Sequence, residues 1–186
     1  MRRFSLWFGI VIGAIILWIG LVTQAEATPR ILRPGTKPGI YQFSIGTALN
    51  FVHYGFSSGV GAGGYISNTI GYHFGGRASG PALGGNFDLG FGPGGVALIF
   101  APRFWWDIQI PGMAIYIAPY IQPGLALYIA QGGAAPTFNL QFGAEGRVIL
   151  FDRLILSIRP IGFQMDIGQA FLFSMHIMHF GVGVSF

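Results

Sequence analysis

The chain has 186 residues and a formal net charge of +4, yet only 9% of its residues are charged, 52% are apolar, and the mean hydropathy is +0.59. A water-soluble domain carries about 25% charged residues, so an ordinary soluble globule is excluded, and abundant aromatics with little net charge exclude a disordered chain. The 31 glycines follow no collagen period, and the absence of cysteine excludes disulfides, thiolate metal sites and a cysteine nucleophile.

The first element is hydrophobic in the helical way. Arg2 and Arg3 precede an apolar run from Phe4 to Val22, and Ala25 and Ala27 follow in an A-x-A pattern. This is the layout of a secretory signal peptide cleaved after Ala27. A retained transmembrane anchor is the alternative, because the run approaches the ~20 residues that span a bilayer. The polar, Pro-rich stretch that follows favours cleavage. The expected organisation is a signal peptide over 1–27, a short periplasmic segment over 28–39, and one further domain over 40–186.

Beyond Gly39 no apolar run is long enough for a spanning helix, and the pattern has period two. In IYQFSIGTALNF, Tyr41, Phe43, Ile45, Thr47, Leu49 and Phe51 share one face, with Gln42, Ser44, Gly46, Ala48 and Asn50 on the other. Successive side chains of a strand point to opposite faces, so this is a strand with an oily side and a small, polar side. A second strand, Gly-rich at its start, runs from about Tyr65 to Phe74. The third sets Phe87, Leu89 and Phe91 against Asn86, Asp88 and Gly90. The fourth, from Val96, sets Phe100, Phe104, Trp106 and Ile108 against Ala97, Ala101, Arg103, Asp107 and Gln109. In the fifth, Ile115, Ile117, Ile121, Leu125 and Leu127 oppose Tyr116, Tyr120, Gln122 and Tyr128. In the sixth, Phe138, Leu140, Phe142 and Val148 oppose Asn139, Gln141, Glu145 and Arg147. The seventh, Leu154 to Met165, changes parity between Arg159 and Gln164, the mark of a bulge. The eighth places Met178, Phe180, Val182, Val184 and Phe186 on one face and His179, Gly181, Gly183 and Ser185 on the other, with His176 interrupting the oily face.

Turn signals such as HYGFSSG, GPGG, IAQGGAAP, FDR and DIGQ separate these runs. Seven connections imply eight strands, each with room for the roughly 9–11 residues that a tilted spanning strand needs. Which face is dry decides the class. A soluble barrel needs charged residues outside, but the only lysine is Lys37, before the first strand. A polar interior inside an apolar exterior is the membrane-barrel arrangement, and in lipid only a closed sheet pairs every strand's backbone groups. Aromatics near strand ends fit interface girdles. The expected fold is therefore all-β, a transmembrane antiparallel up-and-down barrel of about eight strands.

The last strand carries a family resemblance. With Met178, Phe180, Val182, Val184 and a closing Phe186 on one face, residues 39–186 resemble the small outer-membrane β-barrels of Gram-negative bacteria, of the eight-stranded OmpA/OmpX kind. The resemblance implies an outer-membrane location reached through the signal peptide, and an assembly signal in these five residues. It also implies dealings with outer-membrane lipids and, during biogenesis, with periplasmic chaperones and the barrel-assembly machinery.

The inward charges number three of each sign, Arg103, Arg147 and Arg159 against Asp88, Asp107 and Glu145. They form a lumen charge network, because an unpaired charge there costs several kcal/mol. An eight-stranded barrel is just wide enough for side chains to fill, although many inward Gly and Ala keep a narrow path open as an alternative. A search for chemistry finds little. His53 lies near Ser57 and Ser58 in an expected loop, where a base and a nucleophile could meet, but no orienting third group stands near. His176 and His179 are three apart and so face opposite ways on a regular strand, a poor metal pair. GVGAGG lacks the helix and the GK[ST] ending of a phosphate loop. No catalytic residue, cofactor site or metal site is expected, and no basic run suits nucleic acid. The connections 52–59, 92–95, 129–136 and 166–170, expected to face outside, are short, which disfavours host binding. The expected role is structural, or that of a passive small-solute pore; a lipid-modifying enzyme acting on lipid A is the alternative.

Overall fold

Alternation of large apolar with small or polar residues allows a sheet only if one face is kept from water and the other is filled, and the chain does this by closing the sheet on itself. The computed structural model describes residues 39–186 except 55–56, 75–78, 93–94, 131, 152 and 169–170, and omits the side chains of 52–54 and 57–58. The expected signal segment, with Ala25 and Ala27, and all of the 28–39 segment but Gly39 lie outside the described residues.

Eight strands follow one another: β1 (Gly39–Tyr54), β2 (Ser57–His73), β3 (Gly80–Gly92), β4 (Gly95–Gln109), β5 (Ile115–Ala130), β6 (Gly133–Leu150), β7 (Leu154–Ile167) and β8 (Phe171–Ser185). Each pairs antiparallel with the next, and β8 pairs with β1, so the barrel closes in simple up-and-down order. Just past β8, the backbone of Phe186 exchanges two hydrogen bonds with Gly39, both 2.9 Å, which continue the β1–β8 seam to its end. The all-β, eight-stranded class expected from the sequence is the one observed.

The faces sort as the alternation requires. On β4, Phe100, Phe104, Trp106 and Ile108 are exposed, while Ala97, Ala101, Arg103 and Asp107 are buried. The strands are longer than expected, because several apparent turns belong to the ladder. Most of HYGFSSG is paired, with His53 opposite Ser58 and Tyr54 opposite Ser57. GVGAGG lies inside β2. In IAQGGAAP the pairing runs to Ala130 opposite Gly133. Glycine read there as a turn signal instead permits tight hairpins. Gly95 has φ +131°, and a Cβ on it would collide with the Ile129 carbonyl.

Two local irregularities matter for the lumen. Between Gly143 and Gly146 the β6–β7 register shifts by one residue, as the parity change in the seventh strand predicts. Arg159 is buried, Pro160 and Ile161 are both exposed, and burial resumes at Gly162. A second shift, between Ile45 and Thr47 in the β1–β8 register, marks a bulge at Met178, which has φ +53°. The β7–β8 register itself is unbroken, with Arg159 opposite His179 and Ile161 opposite Ile177. The two extra residues, Pro160 and Met178, therefore stand opposite each other.

Candidate functional site: the barrel lumen

The inward positions of the lower bore draw on one constraint: a narrow bore out of reach of bulk water must be filled, and its polar groups must find partners among themselves. The lower half, nearer the Gly39–Phe186 seam, is filled by long side chains. Arg103 and Glu145 pair, and Arg159 Nη2 donates to the same Glu145 Oε1 at 2.6 Å. Glu145 Oε2 accepts from Arg147 Nε at 3.1 Å and from Gln42 Nε2 at 3.2 Å. Glu145 thus gathers side chains from β1, β4, β6 and β7 across the bore. Arg147 Nη1 also donates to both oxygens of Asp107, at 3.0 and 2.9 Å. Trp105 Nε1 donates to Asp107 Oδ2 at 2.8 Å, and His73 Nε2 lies 2.6 Å from the same oxygen. Arg103 and Arg159 stack on the Tyr120 ring, 4.3 and 4.6 Å from its centroid. No member of this tier is more than 5% exposed.

Five of the six charges singled out in the sequence thus meet in one cluster, three guanidiniums against two carboxylates. Asp88 stands apart. It accepts from Tyr65, from Asn86 and, at 2.9 Å, from Gln141 Nε2, and no arginine bonds it among the described residues. Gln141 also donates to the Tyr65 hydroxyl at 2.7 Å, which spans the bore between the opposite strands β2 and β6. A fourth inward carboxylate, Asp166, belongs to none of the expected residues, because DIGQ reads as a turn while β7 in fact continues through Ile167. Asp166 accepts from Tyr128 at 2.6 Å, Asn139 at 2.6 Å and Gln164 at 2.7 Å.

The histidines of the last strand require a correction. The expectation set His176 on the oily face and His179 opposite, since residues three apart diverge on a regular strand. The bulge at Met178 inserts one residue between them and turns both inward. Each is 1% exposed, and their rings stack at 5.1 Å with planes 8° apart. Tyr65 lies against both, at 4.2 and 5.1 Å. Gly46 makes room, because a Cβ there would collide with the His179 ring. Among the described residues, no group of three or more metal-ligating side chains converges. His53 and Ser58 are register partners at the top of β1 and β2, with side chains outside the described set.

On the outside, Met178, Phe180, Val182, Val184 and Phe186 all face away from the lumen, each at least 40% exposed. They continue an apolar wall that includes Tyr41, Phe43, Ile45, Tyr72, Phe104, Trp106 and Ile121. Asn68 is a polar side chain on this wall, and Tyr41 donates to it at 2.9 Å.

No family model and no curated protein matches this sequence. Among solved structures, Neisserial surface protein A (NspA) superposes with a TM-score of 0.53 at 12% identity, over 79% of this chain and 97% of that one. The N-terminal β-barrel domain of Pseudomonas aeruginosa OprF superposes with a TM-score of 0.54 at 11% identity, over 81% of this chain and 98% of that one. At such identities the likeness is one of fold. An unbroken antiparallel order, a polar bore, an apolar outer wall and these two superpositions together make the chain, in fold, a closed eight-stranded antiparallel barrel like those of these two proteins.

Proposed function

We propose that this protein resides in a bacterial outer membrane as a sealed barrel with a structural role, and that it is neither an open pore nor an enzyme. The observation that carries this reading is Glu145. It is 2% exposed and is bonded from four strands, so the ion pairs lie across the bore where a solute would have to pass. Opening a path would mean separating buried, mutually bonded charges, which costs several kcal/mol per ion. The apolar outer wall supports a lipid setting, since a closed barrel satisfies its own backbone. The likeness to NspA and to the OprF barrel domain is one of fold and agrees with a closed barrel. Outer-membrane lipids are the partners this wall suits. Export by the 1–27 segment, with Ala25 and Ala27 at the cleavage site, and handling by periplasmic chaperones and the barrel-assembly machinery complete the reading. The outward residues Met178 to Phe186 supply the assembly signal.

Planar-bilayer recording tests the sealed bore. Protein whose insertion is verified by heat-modifiable gel migration is expected to leave the bilayer silent. Reproducible single-channel steps would overturn the reading in favour of a small-solute pore. Unchanged lipid A mass profiles, with and without the protein, are the matching expectation against the enzyme alternative.

A further inference from the structure

The upper half of the bore is built on a different rule from the lower. Toward the β1–β2, β3–β4 and β5–β6 hairpins many inward positions are small, Ala48, Gly61, Gly90, Gly92 and Ala97 among them, and a cavity of about 940 Å³ opens there. Packing does not demand glycine at Gly61 or Gly90. A Cβ on Gly61 would meet nothing within 4 Å, and one on Gly90 would make ordinary contacts of 3.5 Å with Ala97 and 3.7 Å with Tyr65. The sequence therefore leaves empty a volume that side chains could fill, as they do below. A cavity of a few hundred to 1,000 Å³ with apolar walls and a few convergent polar groups is the form of a small-molecule site.

The floor shows what such a molecule must offer. It is made by Tyr65, Tyr128, Gln164, Asp166 and His176. Tyr128, Asn139 and Gln164 all give their protons to Asp166. Gln164 Nε2 is thereby a donor, so its Oε1, 3.0 Å from His176 Nε2, accepts a proton from the imidazole. A neutral histidine that donates through Nε2 presents Nδ1 as a bare acceptor. That Nδ1 is buried and has no hydrogen-bond partner. The hydroxyl proton of Tyr65 is likewise given to Asp88. On this floor the donors are thus spent while acceptors remain, the wall adding the unpartnered hydroxyl of Thr137, and Asp166 is the one formally charged residue among the described residues of the cavity lining. We infer that this cup is a binding site for a small molecule with an apolar body and a cationic, hydrogen-bond-donating head, of the primary-amine class. The apolar body would lie along the Gly/Ala wall and the ammonium would face His176 Nδ1 and Asp166.

Calorimetric titration of the full chain in lipid nanodiscs tests this, with benzylamine as the probe, benzyl alcohol and benzoate as matched controls, and empty nanodiscs as the blank. Saturable binding of benzylamine is expected, with benzyl alcohol and benzoate each at least tenfold weaker. Gly61→Phe should weaken benzylamine at least tenfold while heat-modifiable migration stays normal, and Asp166→Asn should erase the preference for the amine. If Gly61→Phe fails to close, Ala97→Leu on the same cup carries the same expectation. Heats equal to the blank, equal affinity for either control, or undiminished binding in the filled-cup variant would each overturn the proposal. None of these outcomes depends on whether the bore below conducts.

Discussion

At the scale of single residues, Glu145 does most to hold the lower bore together. Its carboxylate accepts from two arginines on one oxygen and from a third arginine and a glutamine on the other. Glu145→Ala would leave Arg103, Arg147 and Arg159 facing one another with Asp107 as the remaining carboxylate of the cluster. Removing one partner of a buried pair costs about 3–5 kcal/mol, because the charge left behind stays desolvated. A loss of that order is expected in urea unfolding of the vesicle-inserted protein, followed by gel mobility. Glu145→Gln should lose less, since an amide oxygen can still accept from one guanidinium. The inward placement of Arg103, Asp107, Glu145 and Arg147 was legible in the sequence, because alternation alone fixes it on regular strands. Their grouping was not. Counting three charges of each sign suggested one balanced network, and only the height of each residue along the bore places Asp88 with Tyr65, Asn86 and Gln141 instead.

At the scale of strands, legibility depends on regularity. The fourth strand reads without error because its outward face is apolar throughout and its inward face is mostly small or charged, with Ile99 and Trp105 as the large inward exceptions. In β8 the pattern fails at one point. The bulge at Met178 has no signature in residue type, since methionine suits a lipid-facing position whether or not it is an inserted one. His176 was therefore assigned outward, and the stacked pair with His179 was missed. Asp166 is hidden for a related reason: the polar and glycine residues of DIGQ mark a turn, and here the strand continues through Ile167 before the turn begins. The closing seam gives the prediction at this scale. Phe186 bonds Gly39 through both backbone groups, and its ring covers that glycine so closely that a Cβ there would lie 2.5 Å from the ring. Phe186→Ser should keep the backbone pair but lose the cover and an apolar side chain from the outer wall. Less heat-modifiable protein in outer-membrane fractions is expected, and normal levels would remove the assembly role from this residue.

At the scale of the whole barrel, the two halves of the bore divide the work. Strands of 13–18 residues exceed the roughly 9–11 that a membrane crossing needs. Sheet is therefore left over to carry the wide, small-residue cup beyond the ion-paired plug. The fold class followed from composition and period, because a chain with an oily face and almost no outer charge has few ways to satisfy its backbone. The cup was less visible. Inward Gly and Ala read as an open question about the pore, and only the space around Gly61 and Gly90 shows that they leave room above a closed floor.

The facing bulges of β7 and β8 make these two strands genetically dependent on each other. Deleting Met178 alone would restore regular pairing of β8 with β1 but leave Pro160 without its counterpart. Deleting Pro160 alone would leave Met178 stranded in the same way. With both removed, β6 to β1 would run as a continuous regular ladder, because the register offsets on either side differ by one residue each. Each single deletion should lower the yield of closed barrel, and the double deletion should recover it, as measured by heat-modifiable migration. A double deletion no better than its parents would mean that the two insertions serve separate purposes. Recovery would make them one inherited unit, gained or lost together.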